Sequence, residues 1–390
     1  MKYTIIGDSW SKAEADAAKR VLKSKRFTLG KETAAFEREF CRRMGVAHAV
    51  MTCSGSSANL LATAALIFRA KNRLQAGDEV IVPALGWSTS FSPLQQYGLK
   101  LRFVDIDTET LNLNPEHVKK ALTPATRAVL AVNIMGNPAG LPELRQICDA
   151  KKLLLLEDNC ESIGAEIHGK KSGSFGDTAS FSFFYSHQMH SLEGGMAVTN
   201  DPEAYEILLS LRSHGWAREL SPGSPLLRGR KQSFAGEYLF VLPGYNLRPN
   251  EISAAIGREQ LKRLPRFLRA RQSNANYFQE IFANDERFIR QRAVGKSSWF
   301  GFTMIARVEW SVSRSVIFSA LQKSGIEYRL IAGGNFLRHP AIAYFNHDVF
   351  GETKNADLVE ERGFMVGNQS GDLRRQIDLL KKTLDLFTKM

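Results

Sequence analysis

The chain has 390 residues, and 52 Lys and Arg against 40 Asp and Glu give it a net charge of +12. Its 44% apolar and 24% charged content is that of a folded globular protein with room for two or three domains, which excludes a disordered or fibrous chain. No apolar run approaches the roughly 18 residues that span a bilayer, and residues 1–8 carry no signal-like apolar stretch. Neither a membrane nor a secreted protein is expected, and the cytoplasm is. The cysteines, Cys41, Cys53, Cys148 and Cys160, form no C-x-x-C pair. That argues against a disulfide scaffold and against a zinc or iron–sulfur site, so buried, reduced thiols and no metal are expected. The densest basic groups, at 19–26, 228–231 and 263–271, are interleaved with apolar or small residues. They fit solvated helix faces or contacts to an anionic nucleotide better than nucleic acid.

Residues 12–25 have helical periodicity, with Ser11 placed to cap them. Residues 32–44 read as a second helix stopped before Gly45. Residues 47–51 form a short apolar strand, and a turn of small residues leads into a long helix at 58–70. Strands at 78–82, 101–105, 128–133 and 153–158 then alternate with helices at 115–122 and 141–151. Uninterrupted apolar strands between helices indicate a mostly parallel sheet covered on both faces. The segment 164–171 comes close to a phosphate-loop pattern, but it lacks the Ser or Thr that would hold magnesium and does not open a helix; a surface turn between strands is expected. The alternation runs to about residue 250. Beyond it, 251–263 and 264–284 read as two long helices, 299–308 and 326–330 as strands, and the stretch from Leu373 as an amphipathic helix. A large α/β domain at 1–250 and a smaller α+β domain at 251–390 are the expectation.

In open α/β sheets, ligands bind beyond the carboxyl ends of the strands. The turn Cys53-Ser54-Gly55-Ser56-Ser57 joins a strand to a helix, and its free amides suit a phosphate, or serve as an ordinary helix cap. Asp158 ends an apolar strand; buried there, it calls for a cation, either a protonated ring nitrogen or a structural ion pair. Trp87 follows another strand end and either stacks on a flat ring or packs in the core. His190, three residues after His187, has no carboxylate or thiol at helical spacing to complete a metal site.

The segment 178–199 carries the strongest signal. An alternating strand ending in Ser182 leads through Tyr185-Ser186-His187 to Glu193-Gly194-Gly195 and a second strand. With Glu157-Asp158-Asn159-Cys160-Glu161-Ser162, Leu242-Pro243-Gly244-Tyr245-Asn246 and Ser298-Trp299-Phe300-Gly301-Phe302, it resembles the fold-type I pyridoxal-phosphate sugar aminotransferases. In that family a lysine that bonds to the cofactor stands about six residues before the Glu-Gly-Gly. Here that position is His187, and no lysine occurs from Ser172 to Arg230. The departure resembles the 3-dehydratases of nucleotide-linked 4-keto-6-deoxy sugars.

The resemblance implies the aminotransferase fold, with a large, mostly parallel, seven-stranded mixed sheet flanked by helices and a smaller α+β C-terminal domain. It implies pyridoxal 5'-phosphate and pyridoxamine 5'-phosphate as cofactor forms. Asp158 would pair with the ring nitrogen, Trp87 pack on the ring, Glu161 lie near its hydroxyl, and Ser56, Ser57 and Ser182 hold its phosphate. Asn246 of a second subunit would complete that phosphate site in a homodimer. His214 and Arg218 are candidate contacts to sugar or diphosphate. His187 can neither tether the cofactor nor displace an aminated product, but it can move protons. The expected reaction loses the C3 hydroxyl of the sugar and releases ammonia, and L-glutamate regenerates the amine form. The resemblance implies a GDP-linked sugar, and the absence of the cysteine pattern of the CDP-type enzymes, which carry an iron–sulfur cluster, favours regeneration by glutamate. A sugar-nucleotide aminotransferase and a non-catalytic regulator or scaffold are the rival readings.

Overall fold

The computed structural model describes residues 2–229 and 238–387. Arg230 and Lys231 of the second basic group, and the last three residues, lie outside that range. The strands are β1 (His48–Thr52), β2 (Glu79–Pro83), β3 (Lys100–Val104), β4 (Thr126–Val132), β5 (Leu154–Asp158), β6 (Glu166–Ile167) and β7 (Lys170–Lys171). They continue with β8 (Thr178–Ser182), β9 (Gly195–Thr199), β10 (Phe288–Arg290), β11 (Gly301–Ala306), β12 (Tyr328–Arg329), β13 (His347–Phe350) and β14 (Gly363–Gly367).

The main sheet runs β1-β9-β8-β5-β4-β2-β3-β13. Its β1–β9 and β9–β8 pairs are antiparallel and the rest parallel. It therefore has eight strands, not the expected seven. The eighth, β13, comes from the C-terminal third and pairs His347 with Leu101 through Phe350 with Val104. Its sequence shows no apolar run because charge fastens it: Asp348 accepts from Lys100 Nζ (2.5 Å) and Arg102 Nη1 (2.9 Å). The central strands β2, β5, β8 and β9 are buried throughout, as two-sided burial of apolar runs requires. Residues 166–171 form the hairpin β6–β7, a turn between strands as expected.

Helix α1 (Lys12–Ser24) starts at a capping box of Ser11 and Glu14. Helix α2 (Lys31–Met44) ends at Gly45, whose φ of 71° closes the last turn. Helix α3 (Gly55–Phe68) starts three residues before its expected position. The two helices expected at 251–284 are one, Glu251–Ile281, with Pro265 inside it. A mid-helix proline costs about 3 kcal/mol. The apolar face runs on across it, with Leu261 and Leu264 in the core under β8 and β9, and Ala275 and Phe278 in a second core. That double burial offsets the lost hydrogen bond.

The second core lies on the antiparallel sheet β10-β11-β14-β12. It contains Phe278, Phe302, Phe364, Ile377 and Leu380, and also Tyr3, whose hydroxyl donates to Gly367 O (2.6 Å). No helix among the described residues is long and apolar enough to cross a membrane.

Helix α2 has no capping side chain of its own. Glu251, from the start of the long helix, substitutes for one by accepting from the amides of Gly30, Glu32 and Thr33, at 2.9 Å each, and from Thr33 Oγ1. Burial would raise this carboxyl, but the bonds from Thr33, Glu32 and Gly30 outweigh it and hold the group below its usual range. Glu251→Ala should lower unfolding free energy by about 1–3 kcal/mol, since it strands buried donors. A depressed carboxylate contributes fully above the unfolded pKa and loses that contribution as pH falls through the folded one. The deficit of the variant in urea unfolding should therefore shrink on acidification.

Candidate active site

A cavity of about 430 Å³ opens at the carboxyl ends of β1, β2, β4, β5 and β8, where a doubly wound sheet places its ligands. Ser56, Trp87, Asp158, Glu161, Ser182 and His187 all line it.

The small-residue turn at 53–57 fits here because two backbones must approach closely. A Cβ at Gly55 would sit 2.5 Å from Ser182 Cβ, and one at Gly195 would collide with the Ser54 carbonyl. The first turn of α3 can thus seat directly against β8 and β9. Ser54 caps α3 by accepting from Ser57 N (3.1 Å). Ser56 faces the cavity, with its hydroxyl donating to Thr89 Oγ1 (2.9 Å). Ser57 does not line it: its hydroxyl turns back to Ser54 Oγ (2.8 Å) and Cys53 Sγ (3.0 Å). Trp87 is 61% exposed, so core packing does not explain it.

Asp158 is 4% exposed. Its Oδ2 accepts from Asn59 Nδ2 (2.8 Å) and Ser90 Oγ (2.7 Å), and its Oδ1 from the Cys160 amide (2.9 Å). Ser180 Oγ donates to Asn59 Oδ1, which fixes the direction of the amide. These partners are neutral, and among the described residues Asp158 forms no ion pair; the structural ion pair considered from sequence is not what holds it. A buried carboxylate that faces a cavity and has only neutral partners is a site prepared for a cationic ligand atom.

Glu161 accepts from the Met135 amide (2.8 Å). Burial, with the Asp158 charge adding to it against that amide, pushes its carboxyl up to about 7. It is a group that can hold or release a proton near neutrality.

His187 lies in a tight turn after β8, its amide donating to Phe184 O (2.9 Å). Its half-buried ring stands edge-on between Phe184 and Phe300, at centroid distances of 5.9 and 5.2 Å. Burial, followed by the charges of Arg271 and Arg329, lowers the imidazole to about 3, so it is unprotonated at neutral pH and able to accept a proton. No lysine lines the cavity among the described residues.

Asn246, His214 and Arg218 do not line this cavity within one chain. Asn246 accepts from Arg248 Nε (3.0 Å), the His214 ring packs on Trp216 (4.8 Å), and the Arg218 guanidinium lies over Trp216 and Tyr238. His190 stacks on Trp10 with centroids 5.8 Å apart. Of the four cysteines only Cys148 is buried; Cys53 is exposed, and Cys160 lines the cavity. The expectation of uniformly buried thiols is corrected to that extent, because the segments carrying Cys53 and Cys160 form the rim of a site and not part of a core.

Sequence reasoning passed over Asn59, Ser90 and Arg329, which also line the cavity. Asn59 follows Ser56 by three residues on α3, and that spacing alone would have placed it on the same face. Arg329 arrives from the second sheet and left no local signal.

The model of the DegT/DnrJ/EryC1/StrS aminotransferase family matches residues 8–370. The GDP-4-keto-6-deoxy-D-mannose 3-dehydratase of Escherichia coli O55:H7 is 45% identical, over 98% of this chain and 100% of its own length. A solved GDP-4-keto-6-deoxymannose-3-dehydratase, a histidine-to-asparagine mutant with bound GDP-perosamine, superposes with a TM-score of 0.96 at 44% identity. The match covers 98% of this chain and 100% of that one. Another structure of such a dehydratase, with a trapped PLP-glutamate geminal diamine, matches with the same TM-score, identity and coverage. With a matched model spanning almost the whole sequence and a relative this similar from end to end, the chain belongs to the DegT/DnrJ/EryC1/StrS aminotransferase family.

Proposed function

We propose that this chain is a GDP-4-keto-6-deoxy-D-mannose 3-dehydratase that uses pyridoxal and pyridoxamine phosphate and takes its nitrogen from L-glutamate. The observation that carries the reading is His187: an unprotonated imidazole lines a cavity that no lysine lines among the described residues, at the position where the sugar aminotransferases this chain resembles hold their cofactor-bonding lysine. The relatives described above support the substrate and the donor, one by its name and the other by the glutamate trapped on its cofactor.

The residues present fit the cofactor. Asp158, buried without a cation, would pair with the protonated ring nitrogen, and Trp87 would cover the ring. Ser56, Ser182 and the start of α3 would hold the phosphate, whereas Ser57 is turned away from the cavity and serves the cap of that helix. When bound, the cofactor supplies an amine for the C4 ketone of the sugar and an electron-accepting ring. His187 would be the group that takes up a proton from the C4′ carbon and returns it to the departing C3 hydroxyl. Glu161 would hold a proton beside the ring hydroxyl, as its raised pKa allows. Because His187 cannot displace an aminated sugar as a lysine would, the nitrogen leaves as ammonia. The net change is sugar plus glutamate to 3-deoxy-4-keto sugar, 2-oxoglutarate and ammonia.

A homodimer belongs to the same reading. Asn246, His214 and Arg218 lie away from the cavity of their own chain and would serve that of a second copy. Tyr185, Tyr238 and Phe240 are large exposed rings in the same part of the chain. A cytoplasmic setting follows from the nucleotide-linked substrate and from four free cysteines.

A panel of GDP-, CDP- and dTDP-linked 4-keto-6-deoxy sugars, scored by product mass, tests the proposal. The GDP-linked sugar should lead in kcat/KM by about tenfold or more. A lead for either other nucleotide would refute the substrate assignment.

A further inference from the structure

A cation is buried behind the cavity, and the reaction as described leaves it without a task. Arg271, in the long helix, is 6% exposed and, among the described residues, pairs with no carboxylate. Its Nη1 donates to three carbonyls instead, those of Trp299 (3.3 Å), Phe300 (3.0 Å) and Asn368 (2.6 Å). Burial lowers it only to about 10, so it stays charged at neutral pH. A buried, unneutralised guanidinium is costly, and retaining one calls for a reason.

The segment it holds is strained. Trp299 has φ of 49°, a left-handed conformation that a bulky side chain avoids. Asn368 Nδ2 donates to the same Trp299 carbonyl (3.0 Å). On the other side, Ser298 N donates to Gly136 O (2.8 Å) and Phe300 N to Met135 O (3.1 Å). The clamped turn points the Phe300 ring at the imidazole, nearly perpendicular to it at 82°.

We infer that Arg271 is a positioning residue for His187: it clamps the turn whose Phe300 ring orients the imidazole. This rests on the proposed role of His187 as proton carrier. The charges around the imidazole agree with it. Arg271 and then Arg329 oppose protonation. The carboxyls of Asp158, Glu161 and Glu193 line the same cavity and would favour it, but Glu161 is already raised toward neutrality. Cys160 is pushed well above its usual range and carries no charge.

The test is an NMR titration of His187 in the cofactor-loaded protein, with its resonance identified by loss in His187→Gln. The wild-type ring should stay unprotonated to below about pH 5. Arg271→Met should raise its titration by about one unit or more and lower kcat by about tenfold, with KM little changed. Arg271→Lys, which keeps the charge, should hold the titration at its wild-type position. Phe300→Leu, which spares the clamp and the charge, should lower kcat without moving the titration. A His187 that titrates unmoved in Arg271→Met, or a wild-type kcat in Phe300→Leu, overturns the inference. If the titration moves as stated but His187→Gln keeps full turnover, the electrostatic link stands and the role of His187 falls instead.

Discussion

Replacing His187 with glutamine should cut dehydration by about 10²–10⁴-fold, the usual worth of a positioned general acid–base, and leave the cofactor bound. The imidazole touches Phe184 and Phe300 and no phosphate-holding group, so its loss should not disturb the seat formed by Ser56 and Ser182. Equilibrium dialysis with pyridoxamine phosphate, alongside single-turnover loss of the sugar, separates the two effects. A large loss of cofactor affinity would make His187 a binding residue and not a proton carrier. His187→Lys should place an amine where the imidazole now stands and yield a covalent cofactor adduct visible by denaturing mass spectrometry. That result would verify the geometry even in an inactive protein.

Asp158→Asn is expected to have the second largest effect, about 10²–10³-fold in turnover. The change is nearly isosteric, but it removes the only charge in a group of neutral donors: Asn59, Ser90 and the Cys160 amide. Without the carboxylate the ring nitrogen is not held protonated, and the electron sink that lets a proton leave carbon weakens. The substituted amide also aims at least one donor at another donor, since Asn59 is already oriented by Ser180. Destabilisation of about 1–3 kcal/mol should accompany the kinetic loss. Turnover and urea unfolding together check this outcome. Full activity in Asp158→Asn would exclude the pairing with the ring nitrogen.

The central strands were legible because burial on both faces leaves uninterrupted apolar runs, as in β4 and β5. Strand β13 was not, because its attachment is ionic: Asp348 binds Lys100, 248 residues earlier in the chain, and Arg102, 246 residues earlier. Pro265 read as a helix break on local grounds, yet burial in two cores carries the helix through it. At the site, His187 was legible because it stands at a fixed count before Glu193-Gly194-Gly195, and the reason for Gly195, the approach of β9 to the start of α3, is visible only in three dimensions. Asp158 was legible as a charge ending an apolar strand. Its partners Asn59 and Ser90 come from two other helices. Arg271 looked like one more cation of a basic helix face; only its carbonyl partners and burial distinguish it.

The fate of the nitrogen separates a dehydratase from an aminotransferase. The protein is incubated with pyridoxal phosphate, ¹⁵N-glutamate and GDP-4-keto-6-deoxymannose, and both the sugar and the released ammonia are analysed. One ¹⁵N-ammonia and one 2-oxoglutarate are expected per 3-deoxy-4-keto sugar, with no cofactor bonded to the chain. A ¹⁵N-labelled amino sugar, or a lysine-bound cofactor, would contradict the dehydratase reading.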